Sequence, residues 1–111
     1  MTKEDYFKFA REFAESMISL SEKKNNDYTG NDTDPFSNFT AVEKLGICTT
    51  EQGFLTRMTD KLKRTIGFVN GNKLQVKSES IIDTLQDLAN YSILLAGYLK
   101  SKETNDSKKV L

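Results

Sequence analysis

SESIIDTLQDLANYSILLAGYLK, residues 78–100, is the stretch whose reading decides the fold. At 100° per residue, Ile81, Ile82, Leu85, Leu88, Ala89, Ser92 and Leu95 share one broad helical face. Past Asn90 the opposite face also turns apolar, through Leu94 and Tyr98. A helix that is apolar all round is a buried one. The segment therefore reads as a central helix starting at Ser78 or Ser80, its second half sunk in a core or a subunit interface.

Working back along the chain, Thr49 and Thr50 offer helix caps, and Gln52 stands three residues after Thr49 as in a capping box. Phe54, Leu55, Met58, Leu62 and Ile66 make the apolar stripe of that helix, which stops before Asn70-Gly71-Asn72. A short helical segment, FSNFTAVEKLG, follows Pro35 and closes at Gly46. The first helix opens at Thr2, with Asp5 completing a box, and runs through Tyr6, Ala10, Phe13 and Met17. Phe9, Ile18 and Leu20 widen its apolar face, and it is expected to end near Lys24. Lys73 to Lys77 alternates too briefly for a strand. The expected fold is all-α: a small helical bundle of three main helices plus a short helix. One domain over residues 1–100 precedes a flexible, solvated tail at 101–111.

A chain of 111 residues has room for one modest core, so self-association is expected to supply further burial. Sixteen basic residues balance sixteen acidic ones, which argues against general binding to nucleic acid or an anionic membrane. Histidine is absent, and with it go His-based zinc sites, His general bases and the common nucleophile triads. A single cysteine, Cys48, excludes an internal disulfide and reads as a small buried side chain. There is no run long enough for a membrane span and no signal-peptide opening, so a soluble, cytoplasmic protein is expected.

The charges are unevenly placed. From Arg57 to Lys77 six cations face Asp60 alone, whereas the interval between Lys24 and Lys44 holds acids and no Lys or Arg. Arg57, Lys61 and Arg64 fall on one helical face, a fork of donors suited to phosphate oxygens. Glu79, Asp83 and Asp87 are spaced four apart on the last helix, with Asn90 close behind. Like charges at that spacing repel, by roughly 0.2–0.5 kcal/mol per pair. Two things can offset the repulsion: a salt-bridge network with Arg57 and Arg64, or a Mg²⁺ held by these three carboxylates.

The polar segment at 25–35 is read as a loop, and it is followed by Phe36 and Phe39. Tyr28 is its best base-stacking residue, with Asn38 or Asn26 able to hydrogen-bond a base edge and Lys24 a further ligand contact. Phe36 and Phe39 read slightly better as plugs of the helical core.

Four blocks carry a family likeness: Asp27-Tyr28-x-Gly30; Asp34-Pro35-Phe36-x-Asn38-Phe39; Gly53-x3-Arg57-x2-Asp60-Lys61-x2-Arg64; and Glu79-Ser80-x2-Asp83-Thr84-x2-Asp87-Leu88-x-Asn90-Tyr91. Over about residues 20–99 the chain resembles the nucleotide modification associated domain 1 family of phages and bacteria. That family is distantly similar to the all-α NTP pyrophosphohydrolases, in which helical carboxylates bind Mg²⁺. The resemblance implies a nucleotide ligand, a homo-oligomer and a phage or bacterial setting, with the host-cell cytoplasm as location if the protein is phage-encoded. The hydrolases carry an E-x-x-E pair on one helix and an E-x-x-D pair on the next, and this chain has no E-x-x-E on the helix before its last.

The sequence thus leads to a nucleotide-binding protein that holds a nucleoside phosphate. Such a protein would sequester a nucleotide signal of host defence or act in modified-nucleotide metabolism. The first alternative is a Mg²⁺-dependent nucleotide pyrophosphohydrolase, with Glu79, Asp83 and Asp87 on the metal and Asp60 as supplementary ligand or base. The second is a helical protein-interaction module.

Overall fold

The computed structural model describes residues 1–30, 33–73 and 80–110, without the side chains of Thr29 and 106–110. Among these residues the fold is all-helical: α1 (Lys3–Thr29), α2 (Ser37–Lys44), α3 (Thr50–Val69) and α4 (Ile81–Val110). No helix among the described residues is long and apolar enough to cross a membrane. The chain divides into two compact units, Met1–Pro35 and Phe36–Leu111.

The first unit is α1 and the segment that follows it. Thr2 Oγ1 accepts the Asp5 backbone N–H at 3.1 Å, and the Asp5 carboxylate accepts that of Thr2, completing the expected box. The helix continues five residues beyond Lys24, to Thr29. Asn25, Asn26 and Asp27 are therefore helical, and Tyr28 stands on the last turn rather than in a loop. Asparagines are poor helix formers but do not break a helix already propagating. Asn25 Nδ2 then donates to the Pro35 carbonyl at 2.9 Å, tying the end of the segment back to the helix.

The second unit is built on α3 and α4, which run antiparallel. Arg64 meets Thr84, Lys61 meets Asp87 and Glu51 meets Lys102, so one helix ascends as the other descends. Thr49 and Gln52 form the N-terminal box of α3, and Ser80 and Asp83 form that of α4. Both α2 and α3 end in the same hydrogen-bonded wrap. Ile47 N–H reaches the Val42 carbonyl while Gly46 N–H reaches that of Glu43, and Asn72 and Gly71 do the same to Gly67 and Phe68. The wrap requires a left-handed residue, and glycine supplies it at φ 76° (Gly46) and φ 93° (Gly71).

Phe39 and Phe54 are the buried apolar side chains of this unit. They stack at 4.4 Å between centroids with 10° between planes, joining α2 to α3. Phe36 lies edge-on to Tyr98 of α4, so both phenylalanines after Pro35 pack against the helical pair. Gly53 lets α2 approach: a Cβ there would come within 3.0 Å of Val42 Cγ2. Cys48 is half-buried.

Residues 101–110, expected as a tail, continue α4. No Pro or Gly interrupts them, and Lys102 anchors the extension by its 3.0 Å ion pair with Glu51 and its position over the Tyr98 ring. The Lys102 hydrogen bond, aided by Glu51's own backbone N–H, holds the Glu51 carboxyl below the usual carboxylate range. The same partner raises the Lys102 ammonium above its ordinary value.

Two outcomes are expected. Phe54→Ala empties a fully buried ring site and should cost about 3–5 kcal/mol in urea denaturation, as for other buried aromatics. Because the Glu51 value is lowered on folding, its stabilisation is complete above the ordinary carboxylate range and fades as pH falls through the lowered value. Lys102→Met should flatten that acid-side loss in a series of thermal melts, and an unchanged pH profile would show that the pair contributes nothing.

Candidate functional site

The apolar stripe read from the sequence is only partly the inner face of α3: its Phe54 is fully buried and its Met58 half-buried. Thr50 and Phe54 are fully buried, and Arg57, Lys61 and Arg64 are half-buried, whereas Leu55, Leu62 and Ile66 are about half exposed. The reason is pairing. Lys61 and Arg64 find partners on α4 and Arg57 finds the Phe39 ring of α2, so their burial is compensated, whereas the buried Thr50 Oγ1 has no hydrogen-bond partner among the described residues.

Arg64 Nε donates to Thr84 Oγ1 at 3.0 Å, and Thr84, fully buried, passes its own hydroxyl hydrogen to the Ser80 carbonyl at 3.2 Å. Lys61 Nζ lies 3.1 Å from Asp87, and both side chains are about a quarter exposed. Arg57 is held differently, its guanidinium carbon 4.6 Å from the centre of the Phe39 ring. A guanidinium over an aromatic face is fixed by its plane, which leaves its N–H edge for other contacts. Among the described residues Arg57 has no carboxylate partner.

These three cations line a recess of about 360 Å³ together with Asp60 and Tyr91. Tyr91 comes from α4 and stands edge-on to Phe39, so an aromatic ring borders the cationic wall. The recess lies wholly within the second unit. Its arrangement suits a small anion carrying a flat or apolar group: donors for the charge and a ring beside them.

The structure thus brings Arg57, Asp60, Lys61 and Arg64 together. It places the other expected residues elsewhere or in other duties. Asp83 carries the α4 box with Ser80, and Asp87 takes Lys61. Glu79 lies outside the described residues, and among those described no group of three or more acidic, histidine or cysteine side chains is gathered as a metal would need. Asn38 on α2 and Asn90 on α4 are half-buried. Lys24 and Tyr28 belong to the first unit, where Tyr28 is 69% exposed. Asn26 is exposed there as well. Tyr91 is the lining residue that the spacing of charges did not single out. Its position one after Asn90, one turn from Asp87, was the available signal.

No protein-family model, no curated protein and no solved structure matches the chain.

Replacing Thr84 by Val keeps the volume but removes the acceptor of Arg64. A hydrogen bond to a charged group is worth about 1.5–3 kcal/mol, so Thr84→Val should lose about that much stability and Thr84→Ser should recover most of it. Equal stability of Thr84→Val and the parent in urea would show that the bond contributes nothing.

Proposed function

We propose that the protein binds a nucleoside phosphate in the recess between α3 and α4. The observation that carries this reading is the Arg57 guanidinium planted on Phe39, beside Lys61, Arg64 and the Tyr91 ring. Arginine and lysine donors take the phosphate oxygens, and the aromatic ring takes the base or sugar. A volume of about 360 Å³ falls at the small end of the range for ligand pockets, about 300–1,000 Å³. The likeness of the four sequence blocks to the nucleotide modification associated domain 1 family points the same way.

Binding without turnover is the preferred form of this reading. Asp83 serves the helix cap and Asp87 serves Lys61, so the described carboxylates of the acidic row have structural duties. Two-metal hydrolysis needs carboxylates that hold the ions and place the water. A binder of this kind would act by holding a nucleotide, whether as a sponge for a signal or within modified-nucleotide metabolism. Mg²⁺ would then accompany the phosphates rather than define the site.

The test is equilibrium dialysis of the full chain against mono-, di-, tri- and cyclic nucleotides with Mg²⁺, followed by chromatography of what the protein retains. At least one nucleotide should be retained and recovered intact. Arg57→Ala should weaken its affinity at least about tenfold with the helical circular dichroism unchanged. Arg57→Lys should recover only part of that affinity, because an ammonium lacks the bidentate fork of a guanidinium. Retention of no nucleotide, or full affinity in Arg57→Ala, would sink the reading. Recovery of shortened nucleotide with phosphate or pyrophosphate beside it would replace it with hydrolysis.

A further inference from the structure

The recess has a charge inventory as well as a shape, and register fixes where each charge sits. Arg64 meets Thr84 and Lys61 meets Asp87, so one turn further along the antiparallel pair Arg57 stands level with Tyr91. That end of the recess is bordered by rings: the Arg57 guanidinium lies over Phe39, and Tyr91 is edge-on to Phe39. The preceding turn of α3, Thr50 to Phe54, carries no cation. For a phosphate chain that starts at Arg57, the other lining donors, Lys61 and Arg64, therefore lie in one direction only.

Both carboxylates stand in that same direction. Asp60 lines the recess three residues after Arg57 and four before Arg64, spacings that make it a surface neighbour of each. It is exposed and takes no ion pair among the described residues, so its charge faces what enters. Asp87 lies 3.1 Å from Lys61 and balances that ammonium. Three cations against these two carboxylates leave one net positive charge. A nucleoside monophosphate carries about −1.5 to −2 at pH 7, as other phosphate monoesters do, and each further phosphate adds about −1. A first phosphate at Arg57 and Lys61 meets donors. A second and a third would be laid beside Asp60 and Asp87. A site rejects a competitor by such like-charge contacts as well as by clashes.

We propose that the ligand is a nucleoside monophosphate and that Asp60 is the residue that turns longer phosphate chains away. This rests on the nucleoside-phosphate reading of the recess and deepens it: Arg57 and Lys61 bind, and Asp60 sets the phosphate count. A recess of about 360 Å³, at the small end of ligand pockets, agrees. Service of Asp60 as a metal ligand or base would give the opposite preference, because a pyrophosphohydrolase must admit the triphosphate that it cleaves.

The experiment is calorimetric titration of the full chain with the mono-, di- and triphosphates of adenosine, guanosine, cytidine and uridine. Mg²⁺ is left out and ionic strength is held constant, since both mask phosphate charge. For whichever base binds, the monophosphate should bind at least about tenfold tighter than the triphosphate, with the diphosphate between them. Asp60→Asn should shrink that preference to less than about threefold. Glu103→Gln removes the same charge about 18 Å along α4 from Tyr91 and should keep the parent's preference. Triphosphate binding as tight as monophosphate binding, or tighter, overturns the inference while leaving nucleotide binding in place. So does an Asp60→Asn preference equal to the parent's, or a Glu103→Gln effect as large as that of Asp60→Asn. Binding of no member of the series overturns the underlying reading and this inference together. The parent's own order of affinities decides the first point without any variant.

Discussion

The antiparallel contact of α3 with α4 is the constraint on which the rest depends, and it is unusual in being only partly apolar. At its centre Phe54 is fully buried and stacked on Phe39. Away from that ring the seam is made by Arg64 on Thr84, Lys61 on Asp87 and Glu51 on Lys102. A seam of matched polar pairs specifies register. Slipping α4 by one turn would separate all three pairs at once, and each side chain left half-buried without its partner would carry a desolvation cost. Burial of Phe54 supplies attraction, and the pairs supply alignment.

The same arrangement creates the recess. Polar residues at the rim of the contact line a recess of about 360 Å³. Arg57 shows how structure and site share a residue. Its guanidinium lies over the Phe39 ring, 4.6 Å from the centre, and so links α3 to α2 while lining the recess. Placing so much of the contact side in polar hands also bears on the aliphatic residues of α3. One packing choice therefore lines the recess with Arg57, Lys61 and Arg64 and leaves Leu55, Leu62 and Ile66 about half exposed.

Much of this was legible in the sequence. The boxes at Thr2 and Asp5 and at Thr49 and Gln52, and the glycines that close α2 and α3, are local chemistry, decided within four or five residues of each helix end. The clustering of Arg57, Lys61 and Arg64 also followed from spacing, since residues three and four apart on a helix must be neighbours. Three features were not legible. The persistence of α1 through Asn25, Asn26 and Asp27 depended on propagation overcoming weak propensity. The helical state of residues 101–110 depended in part on Glu51, half a chain away from Lys102. The role of Tyr91 required knowing which turn of α4 lies beside Arg57.

The sequence by itself determined that the chain is helical, where most of its helices begin and end, and which cations share a face, because those are consequences of contacts within a turn or two. It did not determine which face of α3 is inside. The hydrophobic pattern points to Phe54, Leu55, Met58, Leu62 and Ile66 together, of which Leu55, Leu62 and Ile66 stay about half exposed. Tertiary structure fully buried only Phe54 of that stripe and half-buried Lys61 and Arg64 beside it, because α4 offers Thr84 and Asp87 at matching heights. A polar side chain with a partner in place can occupy an interior that hydropathy alone would deny it.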